Sequence, residues 1–217
     1  VSLRAFADAL LAFILAPPCA VCTRVLDQPL SGAVCDRCWG TIAACHSPFV
    51  LPLISRASAA GIYDGTMREV IHALKYDGRR SVAPRLSRLM AQHGADTLCG
   101  VDAAVPVPLH RRRQLHRGFN QADDLARGLG VPVIRALRRV RATRPQVDLP
   151  AAARRQNVRE AFALRSGGLA SCRLDGLVIV LVDDVATTGA TLEACARVLT
   201  RAGARDVRAL TAARVVI

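Results

Sequence analysis

Four short runs rich in Val, Ile, Leu and Ala punctuate the chain, at residues 102–108, 131–134, 177–182 and 207–212. The third is the most apolar, which is the pattern of a strand buried on both faces. Between these runs, residues 81–93, 120–129 and 188–202 carry helical spacing; in the last of them Leu192, Cys195, Ala196 and Leu199 follow the i, i+3, i+4, i+7 rule. Short strands alternating with helices predict an α/β fold with a mostly parallel sheet flanked by helices. At the amino end Leu3, Phe6, Leu10, Phe13 and Ile14 line one side of an amphipathic helix. Asp8 interrupts this apolar stretch and Pro17 and Pro18 stop it, so neither a cleaved leader nor membrane insertion is expected. Residues 141–168 show little periodicity, and Arg144, Gln146, Arg154, Arg155 and Asn157 within them are groups suited to a lid over an anionic ligand. A plain surface loop is the alternative.

Composition narrows the picture without changing it. At 217 residues, 52% hydrophobic and 22% charged, the chain is too apolar for a disordered protein and too short for two full-sized domains. It carries 30 basic against 17 acidic residues, a net charge of +13, which favours polyanions or phosphorylated ligands. Lys75 is the sole lysine, so the basic surface is almost wholly arginine, and a solvated basic face explains the same balance.

Eight cysteines would suit a small secreted scaffold, but four of them fall in two C-x-x-C pairs, Cys19 with Cys22 and Cys35 with Cys38. That spacing lets four thiolates close a tetrahedral shell around Zn2+, with no open position for substrate, so a structural ion is expected. Free thiols are the alternative, and Cys45 and His46 lie close enough in sequence to substitute as ligands. Cys99, Cys172 and Cys195 read as small core hydrophobes. The knuckle divides the chain into residues 1–48, a helix and zinc unit, and residues 49–217, the α/β body. A reducing, cytoplasmic setting fits this use of cysteine.

The most informative segment is the apolar run 177–182 followed by Asp183, Asp184, Val185, Ala186, Thr187, Thr188, Gly189, Ala190 and Thr191. A buried strand that ends in carboxylates delivers charge where open α/β sheets bind their ligands. The small, hydroxyl-bearing residues 187–191 open a helix, whose first N–H groups suit a phosphate, while Gly189 permits close approach. Acids beside an anion site become consistent if the ligand is a sugar phosphate. Strand termination with helix capping is the alternative, and no Walker-type GxxxxGK[ST] string is present.

The string VIVLVDDVATTGAT resembles the 5-phosphoribosyl 1-diphosphate (PRPP) signature of type I phosphoribosyltransferases. The APPCAVC, LKYDGR, VPVPLHRRRQLHRGFNQA and RPQVDLPAAARRQNVREAF segments extend the resemblance to the ComF (GntX-like) family of competence-associated proteins over nearly the whole chain. Glu160 stands where that family's pattern has glycine. The resemblance implies a type I phosphoribosyltransferase fold, with PRPP held by Asp183, Asp184 and residues 187–191. It implies pyrophosphate contacts from Arg117, Gly118 and Asn120, after Arg111 to Arg113, and Mg2+ bound with the diphosphate. The segment 141–168, with Arg144, Arg154, Arg155 and Asn157, would close over the site. Lys75 is read either as a pyrophosphate ligand or as an exposed helix end.

Three functions remain open at this level. One is a PRPP-binding, ComF-like protein of DNA uptake or processing, with single-stranded DNA and a DNA-uptake helicase as partners. Another is a phosphoribosyltransferase of nucleotide metabolism whose acceptor is unspecified. The third is a zinc-containing single-stranded DNA binder. Only 4% of residues are aromatic, so a base-stacking platform is poorly supplied; Trp39, Tyr63, Tyr76 and Phe119 are its candidates.

Overall fold

The computed structural model describes residues 3–15, 17–47, 49–140, 161–165 and 174–216. Among them four parallel strands form one sheet in the order β1 (Ala57–Ile62), β6 (Asp206–Arg214), β5 (Val178–Ala186) and β2 (Ala103–Pro106). Strand β5 is central because its apolar run can be buried on both sides. It pairs with β2 through Val105↔Leu181 and Pro106↔Val182, and with β6 through Leu181↔Ala209.

The two-residue period of β5 divides the interior into two cores. Ile179 and Leu181 face the first, with Leu192, Cys195 and Leu199 of helix α8 (Ala190–Arg201). Val180 and Val182 face the second. There they meet α3 (Gly65–Lys75), α4 (Ala83–His93) and α7 (Gln121–Arg127) through Val70, Leu86 and Leu125. The cysteine knuckle is not a separate body. Cys19, Leu26, Val34 and Cys38 belong to the same buried cluster as Met67 and Leu86.

Several elements differ from the sequence reading. Residues 131–134 form a single bridge, Val133 to Ala104, rather than a strand. Pro132 accepts from Ala104 N at 2.8 Å but has no N–H to extend a ladder. Strand β1 and helix α3 went unread: the ASAAGI run is small-residue rich and lacks the β-branched signature, yet both of its faces are covered. Inside the stretch expected to be irregular, β4 (Phe162–Leu164) pairs antiparallel with β3 (Leu137–Arg139). Most of that stretch, including Arg144, Gln146, Arg154, Arg155 and Asn157, lies outside the described residues, as does Cys172.

Helix α1 (Leu3–Leu15) forms as the spacing requires, but Leu3, Leu10, Phe13 and Ile14 on that side face outward. Leu3, Phe13 and Ile14 are 86%, 88% and 64% exposed. The buried residue is Asp8, whose Oδ1 accepts from Leu30 N at 2.8 Å, while Arg4 reaches Leu30 O and Ser31. Polar contacts therefore dock α1 on the turn Pro29–Ser31. Cys195 is buried as expected, whereas Cys99 is exposed at a helix end instead of in the core.

Candidate functional site

The carboxyl ends of β5 and β2, the start of α7 and the end of α3 converge on one locus. Asp184 lies on the Val180–Val182 face, almost fully buried. A buried carboxylate must be paired and hydrogen-bonded to stay ionised. Lys75 Nζ stands 2.6 Å from its Oδ1, and Gln121 Nε2 donates to its Oδ2. Lys75 is only 16% exposed at its side chain, so the exposed-helix-end reading gives way to a buried ion pair. Burial works against the ammonium, but Asp184 and, behind it, Asp183 outweigh it and hold Lys75 above its ordinary pKa.

The contacts continue outward in sequence order. Gln121 Oε1 accepts from Arg117 Nη1 at 3.0 Å, and the Arg117 guanidinium lies over the Tyr76 ring, 4.9 Å from its centroid. Tyr76 is 65% exposed and follows Lys75 directly, so it borders the site rather than the core. Gly118 takes a left-handed φ of 74°, which turns the chain out of α6 (Arg111–Arg117). Asn120 is committed to the backbone. Its Oδ1 caps α7 by accepting from Ala122 N at 3.2 Å, and its Nδ2 donates to Val107 O at 3.0 Å.

Asp183 occupies the next position on β5 and so belongs to the opposite face. Burial and the neighbouring Asp184 charge push its carboxyl up to about 7, although Asp184 N donates to its Oδ1 at 2.9 Å and Lys75 and Arg139 pull the other way. The same environment pushes the buried Cys195 thiol up. The two carboxylates are therefore unequal in their surroundings: Asp184 is paired with Lys75, and Asp183, raised by burial, holds its proton toward neutral pH.

Strand pairing continues through both acids to Ala186, so they sit within β5 rather than terminating it. Thr187 and Thr188 form the loop, and Gly189 is the N-cap of α8 with φ 76°. A side chain there would press on that of Leu51, and the left-handed backbone angle favours glycine. Glu193 N donates to Gly189 O at 2.9 Å, the first turn of α8. The amides before it have no intrahelical acceptor, and hydroxyl side chains flank them.

The four cysteines come together in the knuckle, beside the segment that follows α3, where Arg79 Nη1 donates to Pro18 O at 3.2 Å. Their sulfur atoms all lie within 4.8 Å of one another, with Cys19 to Cys38 at 4.0 Å and Cys22 to Cys35 at 3.7 Å. Four thiolates about 2.3 Å from a tetrahedral zinc ion would have sulfurs roughly 3.8 Å apart, so the donor set fits that ion. Val21 N and Cys35 N donate toward the Cys19 sulfur from 3.5 and 3.4 Å, amide hydrogen bonds of the kind that steady a thiolate ligand. Cys45 and His46 are not in this cluster.

Known proteins share these features. A family model for the phosphoribosyl transferase domain matches residues 115–215. The chain is 34% identical over 207 residues to the DNA utilization protein YhgH of Salmonella typhimurium, covering 88% of this chain and 87% of that protein. It is 37% identical over 118 residues to Competence protein F of Haemophilus influenzae, covering 52% of this chain and 50% of that protein. Among solved structures, orotate phosphoribosyltransferase from Aeropyrum pernix matches at 21% identity and a TM-score of 0.36, over 81% of this chain and 88% of that one.

A parallel sheet flanked by helices, the matched domain and the cysteine cluster make this a protein of phosphoribosyltransferase fold with an N-terminal knuckle. Within that class, the chain belongs to the ComF family.

Two outcomes follow from the acid pair. Lys75→Met would strand the Asp184 charge in the interior, and a loss of about 3–5 kcal/mol in urea unfolding is expected; a loss below about 1 kcal/mol would mean the pair is dispensable. For Asp183, the folded pKa lies above the unfolded one, so the folded state binds the extra proton and stability falls as pH rises from about 4 through 7. Asp183→Asn should flatten that fall, as read by the denaturation midpoint between pH 5 and 8, and an unchanged slope would place the proton elsewhere.

Proposed function

We propose that the chain binds PRPP at the carboxyl end of β5, and that it serves the handling of incoming or single-stranded DNA. The observation that supports the binding reading best is the junction of β5 and α8. A hydroxyl-rich loop with an obligatory glycine opens a helix immediately after two carboxylates, inside the segment matched by the phosphoribosyl transferase domain. In this reading residues 187–191 take the 5′ phosphate, where helix amides and hydroxyls converge. Asp184, fixed by Lys75 and Gln121, accepts from ribose hydroxyls, and Arg117 with its planar fork meets pyrophosphate. Mg2+ would neutralise diphosphate charge. Arg144, Arg154, Arg155 and Asn157 are proposed to close the site.

The DNA assignment draws on what the relatives are called, a DNA utilization protein and a competence protein, together with the net charge of +13. Its natural partners would be single-stranded DNA and a DNA-uptake helicase in the cytoplasm. No described helix is long and apolar enough to cross a membrane. The knuckle is proposed to hold zinc through Cys19, Cys22, Cys35 and Cys38 as a closed shell, and so to support the fold rather than react.

Calorimetric titration with PRPP and Mg2+ tests the reading. Saturable binding is expected, weakened at least tenfold in Asp183→Asn/Asp184→Asn, and an intact protein that takes up no PRPP would overturn it. Zinc is tested by a chelator strong enough to compete with thiolates. Because the knuckle shares its core with α3 and α4, chelation should lower the melting temperature of the whole chain, and an unmoved transition would argue against a structural ion.

A further inference from the structure

Helix α1 is held to the chain by its two charged side chains and turns its apolar side away from them. Asp8 accepts from Leu30 N, and Arg4 donates to Leu30 O and Ser31 Oγ, all on the turn Pro29–Ser31. Leu3, Phe6, Leu10 and Phe13 recur along the helix at intervals of three, four and three residues. Of these Leu3, Leu10 and Phe13 are exposed, Leu10 by 47%, as is Ile14 beside them. At 100° per residue the stripe lies across the helix from Asp8.

Intervals of three and four are the heptad spacing of a helix whose apolar seam meets another helix. With Leu3 and Leu10 at a and Phe6 and Phe13 at d, the flanking e and g positions hold Ala7, Ala9 and Ile14, none of them charged. Two such helices approach closely and meet no like charge across the seam. Asp8 falls at f, the position farthest from a seam, and it is the residue buried against the turn. A large apolar side chain hides on the order of 100 Å2 when buried. Leu3, Leu10, Phe13 and Ile14 therefore offer about 350 Å2 per copy, the larger part of the apolar share of the ~800 Å2 that each partner gives to a standard interface. With the exposed Ala9 and the backbone between them, two copies reach the roughly 1,000 Å2 that a specific interface needs.

We propose that α1 is a self-association helix, whose stripe of Leu3, Leu10, Phe13 and Ile14 packs against the same stripe of a second copy of this chain in a two-fold dimer. An uncharged apolar seam is its own complement, as an isologous contact requires. A lipid surface is the weaker fit. A helix lying on anionic lipid carries Lys and Arg along the rim of its apolar face, whereas the only basic residue of α1 is Arg4, which is engaged with the turn. The net charge of +13 makes two copies repel, so the dimer should tighten as salt screens that repulsion, the reverse of a contact held by ion pairs. Because α1 rests on the turn between Cys22 and Cys35, the dimer would have a knuckle on each side of the joint. The inference does not require that the phosphate loop bind PRPP.

Sedimentation velocity of the full chain under reducing conditions, from about 1 to 200 µM and at roughly 150 and 500 mM salt, tests it. A monomer–dimer equilibrium is expected, shifted toward dimer at the higher salt. Leu3→Gln/Phe13→Gln keeps both the net charge and the helix propensity, and should weaken association at least tenfold. Its circular dichroism and melting, measured where the parent chain is monomeric, should match the parent, since both side chains are exposed. Val50→Gln changes an exposed apolar side chain outside α1 and should leave the equilibrium unmoved. A chain that stays monomeric over the whole range would overturn the proposal, as would a dimer that falls apart at the higher salt. Equal weakening by Val50→Gln would reduce the association to unspecific adhesion and overturn it too. Vesicles of about one-third phosphatidylglycerol that carry down the parent but not Leu3→Gln/Phe13→Gln, with no dimer in their absence, would make the stripe a membrane contact instead.

Discussion

The burial of Asp184 is the constraint around which the site is organised. A strand covered on both faces cannot carry an ionised carboxylate without a counter-ion, and here the counter-ion comes from a helix far away in sequence. Lys75 can reach it only if α3 lies against the Val180–Val182 face with its last turn at the carboxyl edge of β5. Gln121 closes the remaining acceptor only if α7 begins at that edge too. The ion pair and its amide partner thus fix where two helices stop and start relative to the central strand.

The alternation of side chains along β5 divides the labour between the two acids. Consecutive residues leave opposite faces, so Asp183 and Asp184 are neighbours in the chain with different surroundings. One meets a lysine and a glutamine, the other a buried cysteine and the field of an arginine. Only Asp183 has its carboxyl pushed up, by burial first and by the neighbouring Asp184 charge second.

Much of the fold was legible because its signals are local. The run 177–182, the helix 188–202 and the paired cysteines each carry their meaning within a few residues. The glycine in the middle of TTGAT announced a close approach of the backbone, although nothing in the sequence named its left-handed φ or Leu51 as the side chain beside it. What the sequence hid is non-local. Small residues make β1 only because α4 and β6 cover them, and Pro132 reduces a plausible strand to one bridge. Lys75 looked like an exposed helix end because its partner lies more than a hundred residues downstream. The apolar side of α1 was legible as a pattern, but not its outward orientation, because periodicity reports which residues share a side and not which side turns inward.

Having a single lysine, and that one engaged at 2.6 Å with a buried carboxylate, gives the chain an unusual reactivity profile. Acylating and reductive-alkylating reagents attack the neutral side-chain amine, and the only such amine is held charged and largely shielded. Its labelling therefore requires the ion pair to open. The rate at which such a reagent marks Lys75 becomes a clock for that opening, readable on one peptide and uncomplicated by any other lysine on the surface.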